Sequence, residues 1–91
     1  MKTQAERIQR MDRCFTQLQQ AFIRAPETIR EQSELQTCRS LLTDYLENGL
    51  WLEDYTSDEN GLLPDYLPRG VLSQDGLYDL LQAITEWERV S

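Results

Sequence analysis

Residues 8–26 read IQRMDRCFTQLQQAFIRAP, and this stretch decides the fold. Its apolar side chains recur at alternating spacings of three and four, which is typical of a helix that buries one narrow face: Ile8, Met11, Phe15, Leu18, Phe22 and Ala25. Pro26 should end this helix, because proline clashes with the preceding turn, and it suits the first turn of another helix. We therefore predict a reversal of the chain at Ala25 and Pro26. One kinked helix is the alternative.

The following segment repeats the same apolar spacing and ends at Asn48-Gly49, a good helix terminus because glycine accepts left-handed backbone angles. This segment predicts a second helix that runs back along the first. The two apolar seams would then meet in the pairs Ile8 with Tyr45, Met11 with Leu42, Phe15 with Cys38 and Leu18 with Leu35.

Beyond Gly49 the sequence predicts an irregular but ordered loop from Trp51 to Gly70, in which Pro64 and Pro68 stiffen the chain. Ser73 is a strong helix cap before a third apolar stripe, formed by Leu77, Leu80, Leu81 and Ile84. The predicted fold class is all-α, with an antiparallel two-helix hairpin, an ordered irregular loop and a third packed helix. Residues 1–91 form a single domain, because each helix needs the others to cover its apolar face.

The composition argues against an enzyme and against a bound metal or cofactor. The 91 residues include no histidine, which removes the commonest metal ligand and the commonest general base near neutral pH. Cys14 and Cys38 are the only cysteines, and they fall at nearly the same level of the predicted hairpin. We expect both to be reduced thiols, as is usual in the cytosol, and a disulfide between them is the alternative.

The charge is unevenly distributed along the chain. Residues 1–25 carry a net charge of +3, residues 26–48 carry −3 and residues 49–91 carry −7, for a total of −7. This balance argues against binding to a nucleic-acid backbone. No apolar run approaches ~18 residues and no signal peptide opens the chain, so we expect no membrane association and a cytoplasmic location.

One group of residues resembles a family signature. Trp51, Asp54-Tyr55, Leu63-Pro64, Leu67 and the run RGVLSQDGLYDLL at 69–81 resemble the pattern W-x-x-D-Y, L-P-x-x-L-x-R-G-V-L-S-x-D-x-x-Y-D-L-L of a small bacterial domain family of unknown function. The chain departs from that family at Pro68, where a lysine is usual, and at Gln74, where an acid is usual. The resemblance implies a compact helical protein and no particular activity.

Five residues are candidates for an interaction surface: Trp51, Asp54, Tyr55, Arg69 and Tyr78. Aromatic residues gathered in a loop often form binding hot spots, although core packing is the alternative. Arg69 stands alone among acids, so it either binds an external anion or pins the loop through an internal carboxylate.

These observations predict a small cytoplasmic interaction module that binds another protein or a second copy of itself. A homodimer would use an apolar patch of Ile23, Ile29, Leu50 and Leu52, if the loop leaves it uncovered. One alternative is a small-anion or metabolite-binding protein that uses Trp51, Tyr55 and Arg69. Another is an acidic mimic of nucleic acid, which would need one continuous face of carboxylates: Asp54, Asp58, Glu59, Asp65, Asp75, Asp79 and Glu86.

Overall fold

The computed structural model describes residues 3–73 and 75–90, and within them it contains helices and no strand. The helices are α1 (Gln4–Arg24), α2 (Thr28–Glu31), α3 (Ser33–Glu47), α4 (Leu50–Glu59) and α5 (Gly76–Val90), with a 3-10 turn at Gly70–Leu72 before α5. The predicted all-α fold class is therefore confirmed.

Helix α1 ends where the sequence predicts, and Thr3 caps its start. The Thr3 hydroxyl accepts a hydrogen bond of 3.1 Å from the backbone N–H of Glu6 and so caps the first turn. At the other end Ala25 leaves helical angles, with φ −157° and ψ 80°, directly before Pro26. The chain reverses there and α3 packs along α1, so the single kinked helix is excluded.

The second helix was predicted as one piece from Pro26 to Asn48, and this prediction was wrong. Gln32 is extended, with φ −102° and ψ 118°, and separates the single turn of α2 from α3. The backbone carbonyl of Gln32 accepts the N–H groups of Leu35 and Gln36, so the break also starts α3. The break places Ile29 in the core, where it is buried.

The predicted loop from Trp51 to Gly70 was also wrong over its first half, which is helix α4. Gly49 adopts φ 87°, and the side chain of Asn48 accepts the N–H of Leu50 at 3.0 Å, so a new helix begins directly after α3. Helix α4 ends before Gly61, whose φ is 69°. Of the predicted loop, residues 60–69 remain irregular.

Helix α5 starts at Gly76, three residues later than the predicted cap at Ser73, which instead ends the 3-10 turn. The predicted stripe on α5 is buried at Leu77, Leu80 and Ile84, while Leu81 is half-buried.

All eight residues of the predicted hairpin pairs are buried: Ile8, Met11, Phe15, Leu18, Leu35, Cys38, Leu42 and Tyr45. Val71 and Leu72 of the 3-10 turn join this core.

Cys14 and Cys38 are both buried and both free thiols. Burial, and then the neighbouring Cys14, raises the pKa of Cys38 to about 12. The Cys38 thiol also donates to the side-chain oxygen of Gln17 at 3.4 Å. Cys38 is therefore a protonated core residue, as the sequence suggested, rather than a nucleophile.

The apolar patch predicted for a twofold dimer does not form. Ile29 is buried, whereas Ile23 and Leu52 are 74% and 60% exposed. Leu52 belongs to α4, which contacts the start of α1 through Arg7, and Ile23 lies sixteen residues further along α1. At 1.5 Å per residue, Ile23 is about 24 Å from Arg7 along that helix, so Ile23 and Leu52 lie in different parts of the molecule.

Candidate functional site

The five predicted site residues fall into three places. Asp54 is fully buried between helices, and Arg69 is turned back onto its own loop. Trp51 and Tyr55 stack on each other, with ring centroids 5.0 Å apart and an interplanar angle of 13°. Tyr78 lies apart from these on α5 and is 57% exposed.

Asp54 is the only polar residue in the core among the described residues. Arg7 donates to both carboxylate oxygens, from Nε at 2.9 Å and from Nη2 at 2.5 Å. The Tyr45 hydroxyl donates at 2.5 Å, and the side-chain amide of Gln4 donates at 2.9 Å. This Asp54 network joins the start of α1, the end of α3 and the middle of α4.

The network sets the ionisation of its members. Burial alone would raise the pKa of Asp54, but the hydrogen bonds from Arg7, Tyr45 and Gln4, together with the charge of Arg7, outweigh burial and hold the pKa below its ordinary value. Burial, and then the hydrogen bond to Asp54, raises the pKa of Tyr45 well above its ordinary value. Asp54 is thus ionised and Tyr45 neutral near pH 7, so the network stabilises the fold.

This lowered pKa predicts how stability depends on pH. The unfolded carboxyl titrates near ~3.9, so the stabilisation from Asp54 is fully present above that pH and is lost as the pH falls through the lower folded pKa. We expect the free energy of unfolding to fall less between pH 6 and pH 2.5 in Asp54→Asn than in the wild type, measured by urea titration. Equal losses in the two proteins would show that Asp54 is not linked to folding.

Arg69 clamps the irregular segment. Its Nε donates to the Asp58 carboxylate at 2.6 Å, and its Nη1 and Nη2 donate to the carbonyl oxygens of Pro64, Asp65 and Leu67 at 3.1, 3.2 and 3.2 Å. The prediction that an internal carboxylate takes this guanidinium is confirmed. Because all three nitrogens are engaged, little of the side chain remains to hold an external anion.

We expect Arg69→Ala to loosen residues 60–73 and to lower the free energy of unfolding by about 1–2 kcal/mol, since one charged and three neutral acceptors lose their donor at a partly exposed site. Hydrogen exchange measured by mass spectrometry should quicken there and not in α1 or α3. Arg89→Ala removes an exposed arginine paired with Glu86 and is the matched control. Unchanged exchange at 60–73 would contradict the clamp.

The Trp51–Tyr55 stack also stabilises the fold, through a hydrogen bond from Trp51. The indole Nε1 of Trp51 donates to the carbonyl of Val71 at 2.9 Å, while Asp12 accepts the N–H of Val71 at 3.0 Å. Trp51 therefore ties α4 to the buried 3-10 turn. Tyr55 is half-buried, and its partial burial, followed by the nearby charge of Glu59, raises the pKa of its hydroxyl.

Tyr78 borders an open groove of about 470 Å³ between α3 and α5, whose exposed lining is mostly apolar: Thr43, Leu46, Glu47, Tyr78, Leu81, Gln82 and Thr85. The Tyr78 hydroxyl accepts a hydrogen bond of 2.7 Å from Gln82, which fixes the ring at the border. We call this space the Tyr78 groove. Leu46, Glu47 and Leu81 line it and were not among the residues predicted for the interaction surface.

Thr43 also lines a second, more polar cavity of about 410 Å³, together with Arg39 and Asp44. There Arg39 forms an ion pair of 2.6 Å with Glu88 and donates to Thr85 at 3.2 Å. The Arg30 guanidinium lies 4.9 Å from the ring centre of Trp87. These contacts show that α3 and α5 run antiparallel, with charged residues at one end of their interface and the apolar groove at the other.

A nucleic-acid mimic would need seven acids on one exposed face, and two of the seven are not free on the surface. Asp54 is buried, and Asp58 is paired with Arg69.

In residues 3–73 and 75–90, no group of three or more metal-ligating side chains comes together. No helix in the same residues has the length and apolar character needed to cross a membrane.

Comparison with known proteins places this sequence in one family. The family model described as domain of unknown function DUF4298 matches residues 8–88, which is nearly the whole chain. Neither the curated proteins nor the solved structures that were searched contain a match. The expected resemblance to a family of unknown function is thereby confirmed at the level of the family.

Proposed function

We propose that this chain, which by that match belongs to the DUF4298 family, is a small cytoplasmic, non-enzymatic interaction module that binds a protein partner in the Tyr78 groove. Of the five residues predicted for the surface, Asp54 and Arg69 are engaged inside the molecule. Trp51 ties α4 to the 3-10 turn, and Tyr55 stacks beside it. We therefore assign the interaction surface to Tyr78 and the residues beside it.

One observation carries this proposal. Tyr78 is 57% exposed beside an open, mostly apolar groove, with Leu46 and Leu81 as neighbours in its lining. Large aromatic side chains beside a groove are a common anchor in protein interfaces. The groove lies between two rigid helices of 15 residues each, so it needs little ordering before it binds.

The test is affinity capture from cells that naturally express the protein, with wild type and Tyr78→Ala compared under one protocol. We expect a partner that the wild type retains and Tyr78→Ala loses, because truncation of a central anchor costs binding by about tenfold or more. Tyr66→Ala is the matched control, since Tyr66 is 73% exposed in the segment between α4 and the 3-10 turn. Retention of the same proteins by all three would contradict the proposal.

A second copy of the chain is the alternative partner, in line with the predicted homodimer. The patch predicted for that dimer is divided between distant parts of the molecule, which favours another protein. Light scattering at rising concentration distinguishes the two partners, because a homodimer through the Tyr78 groove would double the mass of the wild type and not of Tyr78→Ala.

A further inference from the structure

We infer that the Tyr78 groove takes a basic amphipathic helix of another protein, an inference that rests on the proposed function and specifies its partner. Helix-in-groove binding uses apolar anchors at spacings of three and four residues on one face of the incoming helix. On α5 the lining of the groove runs from Tyr78 to Thr85, about 10 Å at 1.5 Å per residue, which matches about two turns of such a partner.

The charges around the groove are negative and favour a partner that carries positive charge. Glu47 is the only charged residue in the lining of the apolar end. On α5, Asp79 directly follows Tyr78 in the chain. The carboxylates of Glu47 and Asp79 are exposed and form no ion pair within the described part of the chain.

Among the residues that the structure describes, no base forms an ion pair with Glu47 or Asp79. Arg39 and Arg89 are the only basic residues of α3 and α5, and they pair with Glu88 and Glu86 near the other end of the interface between these helices. Arg30 of α2 is likewise engaged, with Trp87 and with the carbonyl of Glu88. Lysines or arginines on either side of an apolar stripe would therefore meet unpaired acids on both walls.

The test is selection from a phage-displayed library of random 16-residue peptides on the wild-type protein, with Tyr78→Ala as the counter-selected variant. We expect the enriched peptides to carry apolar residues at spacings of three and four, with an excess of lysine and arginine between them. A synthetic copy of the most enriched peptide should bind about threefold to tenfold more weakly to Glu47→Gln with Asp79→Asn, in line with two exposed ion pairs. Glu27→Gln with Glu31→Gln removes two exposed acids from the α2 region and should bind like the wild type.

The outcomes separate this inference from the proposed function. Peptides that need Tyr78 but carry no basic excess, or that are insensitive to the loss of Glu47 and Asp79, would overturn the basic partner and leave the groove as an interaction site. Enriched peptides that bind Tyr78→Ala equally well would overturn both. A concentration-dependent dimer that Tyr78→Ala abolishes would replace the basic helix with a second copy of the chain.

Discussion

Arg7→Ala should lower the free energy of unfolding by about 3–5 kcal/mol, because it leaves a buried carboxylate without its charge partner. The Asp54 side chain is fully buried, and Tyr45 and Gln4 would be its remaining donors. A domain of this size is stable by about 5–14 kcal/mol in total, so the variant should still fold. Urea unfolding followed by circular dichroism measures the loss.

Arg13→Ala is the matched control for Arg7→Ala, since Arg13 is exposed on the same helix and forms no ion pair among the described residues. It should change stability by less than about 0.5 kcal/mol. Arg7→Met combined with Asp54→Leu should cost less than Arg7→Ala alone, because no unpaired charge stays buried. Equal losses for Arg7→Ala and Arg13→Ala would show that the ion pair contributes little.

Leu42→Ala should cost about 2–5 kcal/mol, because Leu42 is fully buried in the middle of α3 and its truncation leaves a cavity in the hairpin. Urea unfolding again measures the change. Leu52→Ala makes the same chemical change at a side chain that is 60% exposed and should cost less than about 1 kcal/mol.

The same variants test the register of α1 against α3. A double-mutant cycle should find an interaction energy of about 0.5–3 kcal/mol between Met11→Ala and Leu42→Ala if these residues face each other. Met11→Ala with Leu35→Ala should be nearly additive, because Leu35 lies two turns away on α3. Coupling in the second pair and none in the first would place the hairpin in a different register.

The hairpin could be predicted from the sequence because its information is local and periodic. Every apolar residue from Ile8 to Leu18 in the α1 seam is buried, as its spacing indicates. Pro26 ends α1 for a steric reason that depends on its neighbours alone. The reversal of the chain follows from these two facts.

Helix α4 could not be predicted in the same way. Its apolar residues Leu50, Trp51 and Leu52 are consecutive and form no helical stripe, and its buried residue is the charged Asp54. What holds Asp54 is Arg7, 47 positions earlier in the chain. A contact of that range depends on the packed fold, so no local pattern indicates it.

The candidate site was predicted in part. The isolation of Arg69 among acids indicated an internal ion pair, and the structure has one with Asp58. Tyr78 was chosen for its aromatic ring, but its groove depends on how α3 and α5 pack, since Leu46 and Leu81 are 35 positions apart. Asp54 directly follows Glu53 in the sequence, and nothing local distinguishes the buried acid from the exposed one.

The most direct test of the account is a photo-crosslinking map of the protein in its natural cells. A photoreactive phenylalanine analogue would replace, one at a time, Tyr78 and Gln82 in the groove, Gln20 on the exposed face of α1, and Tyr66. We expect one partner protein to crosslink from positions 78 and 82 and not from positions 20 and 66. Crosslinks of equal yield from all four positions, or from 20 and 66 alone, would contradict it.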